Sequence, residues 1–203
     1  PEDDWQRLAA NAATRGIPSF MAAKMQPWFL TMMMGFPPCA MAELQAERTG
    51  LDHQILRAAA EAGVPTQSLE PYDTLFRLFG TEPIQDQINL MMLSLSTPQE
   101  AEDMLATLMA LYASEAHREA WEINRFLAAL TIDMPQAELD AAFDDMERMV
   151  LNERNHNWMP VIEAAEAEGP IVIAVGAGHL GGEQGVLNLL AQAGYQLRPV
   201  PLL

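Results

Sequence analysis

Three features that could do chemistry fall together between residues 171 and 187. The β-branched run Ile171-Val172-Ile173-Ala174-Val175 leads into Gly176-Ala177-Gly178-His179-Leu180-Gly181-Gly182, and Glu183 follows at once. A histidine just beyond the carboxyl end of a buried strand, beside the start of a helix, stands where ligands collect in open α/β sheets. Gly176 and Gly178 would let a ligand or a second loop approach the backbone closely. His179 and Glu183 together offer two ligands to a divalent ion, where three or four are usual. The plainer alternatives stay open: Glu183 complements a helix dipole, and His179 is a loop histidine satisfied by its neighbours. Gly176, Gly178 and Gly181 also spell Gly-x-Gly-x-x-Gly, but no βαβαβ half with a ribose-binding acid follows, which argues against a dinucleotide site.

Other candidates are less concentrated. Asn152-Glu153-Arg154-Asn155-His156-Asn157-Trp158 is a dense polar cluster inside a helical pattern, with Arg154 and Trp158 on one face at four-residue spacing. It is either a solvated face or a pocket wall. Asp52 after Gly50-Leu51 and Glu70 before Pro71 read as a helix-start acid and a turn acid, and His53 and His117 as surface residues. No Ser-His-Asp order, nucleophile elbow, phosphate loop or His-Glu-x-x-His helix occurs.

The elements that must position these residues read mainly as helices. Asp4 to Thr14, Leu51 to Ala62, Asp86 to Leu95, Thr97 to Ala113, Ala116 to Leu130 and a long stretch from Pro135 carry apolar residues at helical spacing. Thr97-Pro98-Gln99-Glu100 has the form of a capping box. Residues 28–41 are rich in Met and Phe but broken by Gly35 and Pro37-Pro38, which suits a buried or partner-facing helix; dimerisation through this region is an expectation. Residues 64–69 and 195–200 read as strands, and 171–175 as a strand buried on both faces. The expected architecture is α/β: a helix-dominated chain with a small, mostly parallel sheet and a carboxyl-terminal βαβ unit at 169–203, preceded by a helical cap over about 1–168.

The 203 residues include 28 acidic and 11 basic side chains, for a net charge of −17. No Lys/Arg cluster interrupts that excess, so nucleic acid and anionic membrane surfaces are poor partners. Half the residues are hydrophobic, which supports a folded core. Cys39 is the single cysteine and excludes an internal disulfide. No apolar run reaches the roughly 18–20 residues of a transmembrane helix. Pro1-Glu2-Asp3-Asp4 shows no signal-peptide start.

The motif order resembles the TraB/GumN family. Met25-Gln26-Pro27-Trp28, Gly50-Leu51-Asp52, Ala60-Glu61-Ala62-Gly63-Val64-Pro65 and Leu69-Glu70 resemble its central part. Glu153-Arg154-Asn155, Trp158-Met159, the stretch from Val175 to Leu187, and Ala193-Gly194-Tyr195 resemble its carboxyl-terminal part. The family is similar to the Tiki proteases, and more distantly to erythromycin esterases and ChaN-like proteins. The resemblance implies a metal-dependent, peptidase-like hydrolase with two Gly-x-x-His motifs, and Gly176 to His179 matches the second. The first, on an opening strand, would be expected ahead of Pro1. His179 is then a metal ligand or catalytic base, Glu183 a second ligand, and Glu70 and Arg154 catalytic-pocket residues. Asp52, Gly176, Gly178 and Asn155 give support, and the cofactor is a divalent ion such as Mn, Co or Zn. A peptide or small molecule is the implied substrate, in a periplasmic or cell-envelope setting. The contrasting expectation is a non-catalytic module that holds an apolar or haem-like ligand, or a partner protein, on Met-lined surfaces.

Overall fold

Helices form wherever the 3.6-residue apolar period and a workable stop coincide. The computed structural model describes residues 2–45, 50–132 and 134–200. Helix accounts for 68% of the chain, and no described residue is paired in a strand. The chain divides into two units, one of Pro1–Val64 with Asp73–Ala110 and the other of Pro65–Tyr72 with Leu111–Leu203.

In the first unit lie α1 (Glu2–Thr14), α2 (Ser19–Ala22), α3 (Pro27–Met34), α4 (Pro38–Gln45), α5 (Leu51–Glu61), α6 (Thr74–Gly80), α7 (Ile84–Leu93) and the start of α8 (Pro98–Ala113). Leu8 and Ala12 share one face of α1, Leu30 and Met34 one face of α3, and these four close on Ile17, Ala22 and Met91 to make the core. Burying Leu30, only 1% exposed, contributes about 1.5–3 kcal/mol. The expected helix in 28–41 is two helices, α3 and α4, because Gly35 and Pro37 end one before Pro38 begins the next. Trp28 faces Phe29, Phe76 and Phe79 at ring separations of 5.6, 5.6 and 6.1 Å. Arg15, directly after the last residue of α1, is buried and donates to the Phe36 carbonyl at 2.7 Å. The Thr97 cap of α8 forms as expected, Glu100 accepting from the Thr97 amide and hydroxyl at 2.8 Å each.

The second unit holds α9 (His117–Thr131), α10 (Gln136–Glu147), a π-helical turn (Arg148–Asn152), α11 (Glu153–Glu166), a 3₁₀ turn (Ala177–His179) and α12 (Val186–Gln192). Arg118 binds Glu147 at 2.5 Å and Arg125 binds Asp144 at 2.6 Å, fastening α9 to α10. Trp158, Ile162 and Val186 form the local core, with Leu69, Ile173, Val175 and Leu190 packed on it. Between α8 and α9, Glu115 takes φ 57° while Ala116 N–H bonds Leu111 C=O at 2.9 Å. That is a left-handed helix stop of the kind glycine fills at residue 63.

The sheet and the βαβ unit expected at the carboxyl end are not formed. Residues 64–69, 171–175 and 195–200 include no strand. β-branched residues favour an extended backbone, but a strand also needs a neighbour to exchange main-chain hydrogen bonds, and none of the described residues supplies one. The run 171–175 is therefore buried on one side: Ile173 and Val175 pack inward while Val172 is 88% exposed. Pro199 lacks a donor in the last segment, and Val200 is 84% exposed. The final helix also starts later than its composition suggests, at Val186, so Glu183 lies in the preceding turn and not in the helix. The delay is set by Gly185, whose backbone lies so close to the 180–181 segment that a Cβ there would fall 2.3 Å from the Gly181 carbonyl oxygen.

Two stability outcomes follow from these turns. Gly185→Ala should lower unfolding free energy by about 1–3 kcal/mol in urea titrations, whereas Gly181→Ala, whose Cβ meets nothing within 4 Å, should cost less than half as much. Glu115→Gly should raise stability by about 0.5–1 kcal/mol by relieving the left-handed residue, and an unchanged or lower midpoint would contradict that account.

Candidate functional site

The second unit brings Glu70, Arg154, Asn155, Trp158 and His179 together. Helix α11 does most of the positioning: Asn155, Trp158 and Ile162 recur at three- and four-residue intervals and form its buried face. Arg154 and Trp158 share an adjoining face, as their spacing predicts. The 3₁₀ turn that ends the 171–175 segment then lays His179 against this face, its ring centroid 4.5 Å from that of Trp158. Gly176 serves as the cap of that turn, and Gly178 sits beside Leu151 of the π turn.

Asn155, 1% exposed, holds the loop at three points. Its Nδ2 donates to the carbonyl of Gln184 at 2.8 Å and to that of His179 at 3.4 Å, and its Oδ1 faces His179 Nδ1 at 2.7 Å. Because Nδ2 is spent on two carbonyls, Oδ1 must be the acceptor, so His179 carries its proton on Nδ1 and presents a lone pair at Nε2. Arg154 Nη1 lies 3.3 Å from that Nε2 and donates to it. The same guanidinium holds Glu70 through two bonds, Nε to Oε2 at 2.9 Å and Nη2 to Oε1 at 2.7 Å, and also donates to Val150 C=O at 2.8 Å. Trp158 Nε1 adds a third donor to Glu70 at 3.1 Å. The network is nearly saturated.

Burial first and the adjacent Arg154 charge second hold the His179 imidazole down at about 4, against the opposing pull of the Glu70 carboxylate. Glu70 is pushed upward by burial, but hydrogen bonds from Arg154 and Trp158 outweigh this and hold its carboxyl below the usual range. At neutral pH the site is an uncharged imidazole beside a closed Arg–Glu ion pair.

The remaining residues singled out in the sequence lie elsewhere. Asp52 belongs to the first unit, exposed in the first turn of α5. Glu183 is exposed in the turn before α12, and no described residue pairs with its carboxylate. No group of three or more His, Cys, Asp or Glu side chains able to hold a metal occurs among the described residues. Trp158 is the partner that sequence reading under-weighted. Its four-residue offset from Arg154 placed it on the right face, but its bond to a glutamate 88 positions away has no local signal.

A second feature opens on the other side of Asn155. A cavity of about 440 Å³ is walled by the start of α9, the π turn and the glycine loop, with Trp121, Asn152, Asn155 and Glu183 among its lining residues. The π turn inserts an extra residue where α10 would otherwise run straight into α11. Nothing in the residue pattern marks it.

With this geometry in place, comparison with known proteins gives one result: residues 1–199 match the family model described as the TraB/PrgY/gumN family, and the chain belongs to that family. No curated protein and no solved structure matches it. No helix among the described residues is long and apolar enough to cross a membrane.

A buried neutral histidine makes stability depend on pH. The folded His179 value of about 4 lies below the unfolded 6.5, so the unfolded chain gains a proton that the folded one refuses. Stability is full above about pH 6.5 and falls as pH drops toward 4, by at most about 3 kcal/mol. His179→Asn retains a donor for Asn155 but does not titrate. Urea midpoints measured between pH 6.5 and 4.5 should fall more steeply in the wild type than in this variant, and equal slopes would refute the buried-neutral assignment.

Proposed function

We propose that this member of the TraB/PrgY/gumN family works as a binding module in which His179 is a neutral hydrogen-bond acceptor. One observation carries the reading: both ring nitrogens are already engaged, Nδ1 by Asn155 and Nε2 by Arg154. A general base is most effective when its pKa lies near the working pH, and an imidazole at about 4 is a weak base at neutrality. The contrasting reading is the metal-dependent, peptidase-like hydrolase that the family resemblance implies, with Mn, Co or Zn bound at His179.

The donor set does not fit such an ion. The ring lone pair of His179 already accepts from a guanidinium, and a cation placed there would stand directly against Arg154. Both Glu70 oxygens are held by Arg154 and Trp158. Glu183 adds one carboxylate, short of the three or four ligands that a tetrahedral site requires. What favours the hydrolase is the fixed tautomer, since a histidine with Nδ1–H held by a second residue is the form that ligates metals through Nε2.

Calorimetric titration of the wild-type chain and His179→Ala with Mn²⁺, Co²⁺ and Zn²⁺, alongside assays on a mixed fluorogenic peptide library, separates the two. Binding predicts the same metal isotherm for both proteins and no cleavage above the blank. One tight metal equivalent that disappears in His179→Ala, accompanied by metal-dependent cleavage, would establish the hydrolase instead.

A further inference from the structure

We infer that the cavity between α9, the π turn and the glycine loop is a recognition site for a small organic ammonium compound. The inference does not depend on the role given to His179, because His179 does not line the cavity, although its neighbour Gly178 and its partner Asn155 do. At about 440 Å³ it is within the ordinary size range of small-molecule sites.

The chemistry of the walls selects the charge. Glu183 lines the cavity, and no described residue pairs with its carboxylate. Asn152, on the π turn, adds a side-chain amide that likewise has no partner among the described residues. Trp121 also lines the cavity, and its indole N–H is buried with no acceptor among the described residues. Carboxylate and amide oxygen are what an ammonium group needs once its water is removed, and the indole N–H would take an acceptor carried on the same ligand.

One lining cation works against this, and it is already neutralised. Arg118 is bound to Glu147 at 2.5 Å and to Glu122 at 2.6 Å, so its charge is matched by two carboxylates. The −17 charge of the whole chain draws cations toward the surface and repels anions. Displacing Arg118 would require breaking both contacts, so a carboxylate or phosphate ligand would pay that cost and meet Glu183 as well. A neutral apolar ligand would fill the space but leave Glu183 and Asn152 without partners.

The test is titration of the whole chain with n-butylammonium, 1-butanol and butyrate, followed by tryptophan fluorescence and by amide NMR shifts of the 178–184 loop. Saturable shifts with n-butylammonium are expected, at least ten-fold weaker with 1-butanol and absent with butyrate. Glu183→Gln should weaken n-butylammonium binding at least five-fold. His179→Asn, which keeps a donor for the Asn155 amide, should leave it within two-fold, which separates this site from the one at His179. Since Glu183 is exposed, its substitution leaves the fold intact, and circular dichroism checks this for each variant. No saturable shift at 50-fold molar excess, equal response to 1-butanol, or an unchanged affinity in Glu183→Gln overturns the inference.

Discussion

The amide of Asn155 is the constraint on which the rest of the second unit depends. A buried side chain at this position has to donate twice and accept once: to the carbonyls of Gln184 and His179, and from the His179 ring. Aspartate would match the acceptor but lose both donors, and it would bury a charge; leucine would leave two carbonyls and a ring N–H unsatisfied, at about 1–3 kcal/mol each. Because the two carbonyls lie five residues apart, one side chain fixes both ends of a glycine-rich loop that has no sheet to anchor it. The loop's flexibility in sequence is thereby converted into a single conformation. Gly185 completes the effect, since its bare backbone lets the chain fold tightly onto residues 180–181 before α12 starts.

Helices were legible because their signal is local. Apolar period, the Thr97–Glu100 capping box and glycine stops lie within a few residues of what they control, and nearly every helix expected from them is present. The sheet was misread for the opposite reason. The run 171–175 has the composition of a strand buried on both faces, but strand formation is a property of two segments, and one segment's composition cannot reveal whether a partner is there. The site was half legible. His179 stood out by its loop, Arg154 and Asn155 by their polar helix cluster and Glu70 as a turn acid, while the pocket roles of Arg154 and Glu70 came from family resemblance. Their mutual geometry was not legible, because the Glu70–Arg154 pair spans 84 positions and the π turn leaves no mark in the residue pattern.

The charge balance gains meaning from where its minority lies. Arg77, Arg118, Arg125, Arg148 and Arg154 each sit against at least one carboxylate. Arg15 is buried against carbonyls. These six arginines are thus consumed in bracing helices and loops, while most of the described acids face water. Exposed pairs of this kind add little stability individually, about 0–1 kcal/mol. Their larger consequence is electrostatic: with these five arginines already matched, the field felt by a ligand nearby is weighted toward the unpaired acids.

The pairing of Glu70 with Arg154 explains how a guanidinium can lie beside His179 without placing an uncompensated charge in a partly buried site. Glu70 neutralises Arg154 through two parallel bonds, a geometry that also fixes the plane of the guanidinium and so aims Nη1 at Nε2. Removing Glu70 would therefore do more than break an ion pair. It would free Arg154 to rotate, release the donor from Nε2, and remove the one nearby charge that favours a protonated ring. The imidazole would stay neutral for a stronger electrostatic reason while losing its fixed partner. Neutrality and orientation at His179 thus have different sources: burial and Arg154 supply the first, Asn155 and Glu70 the second.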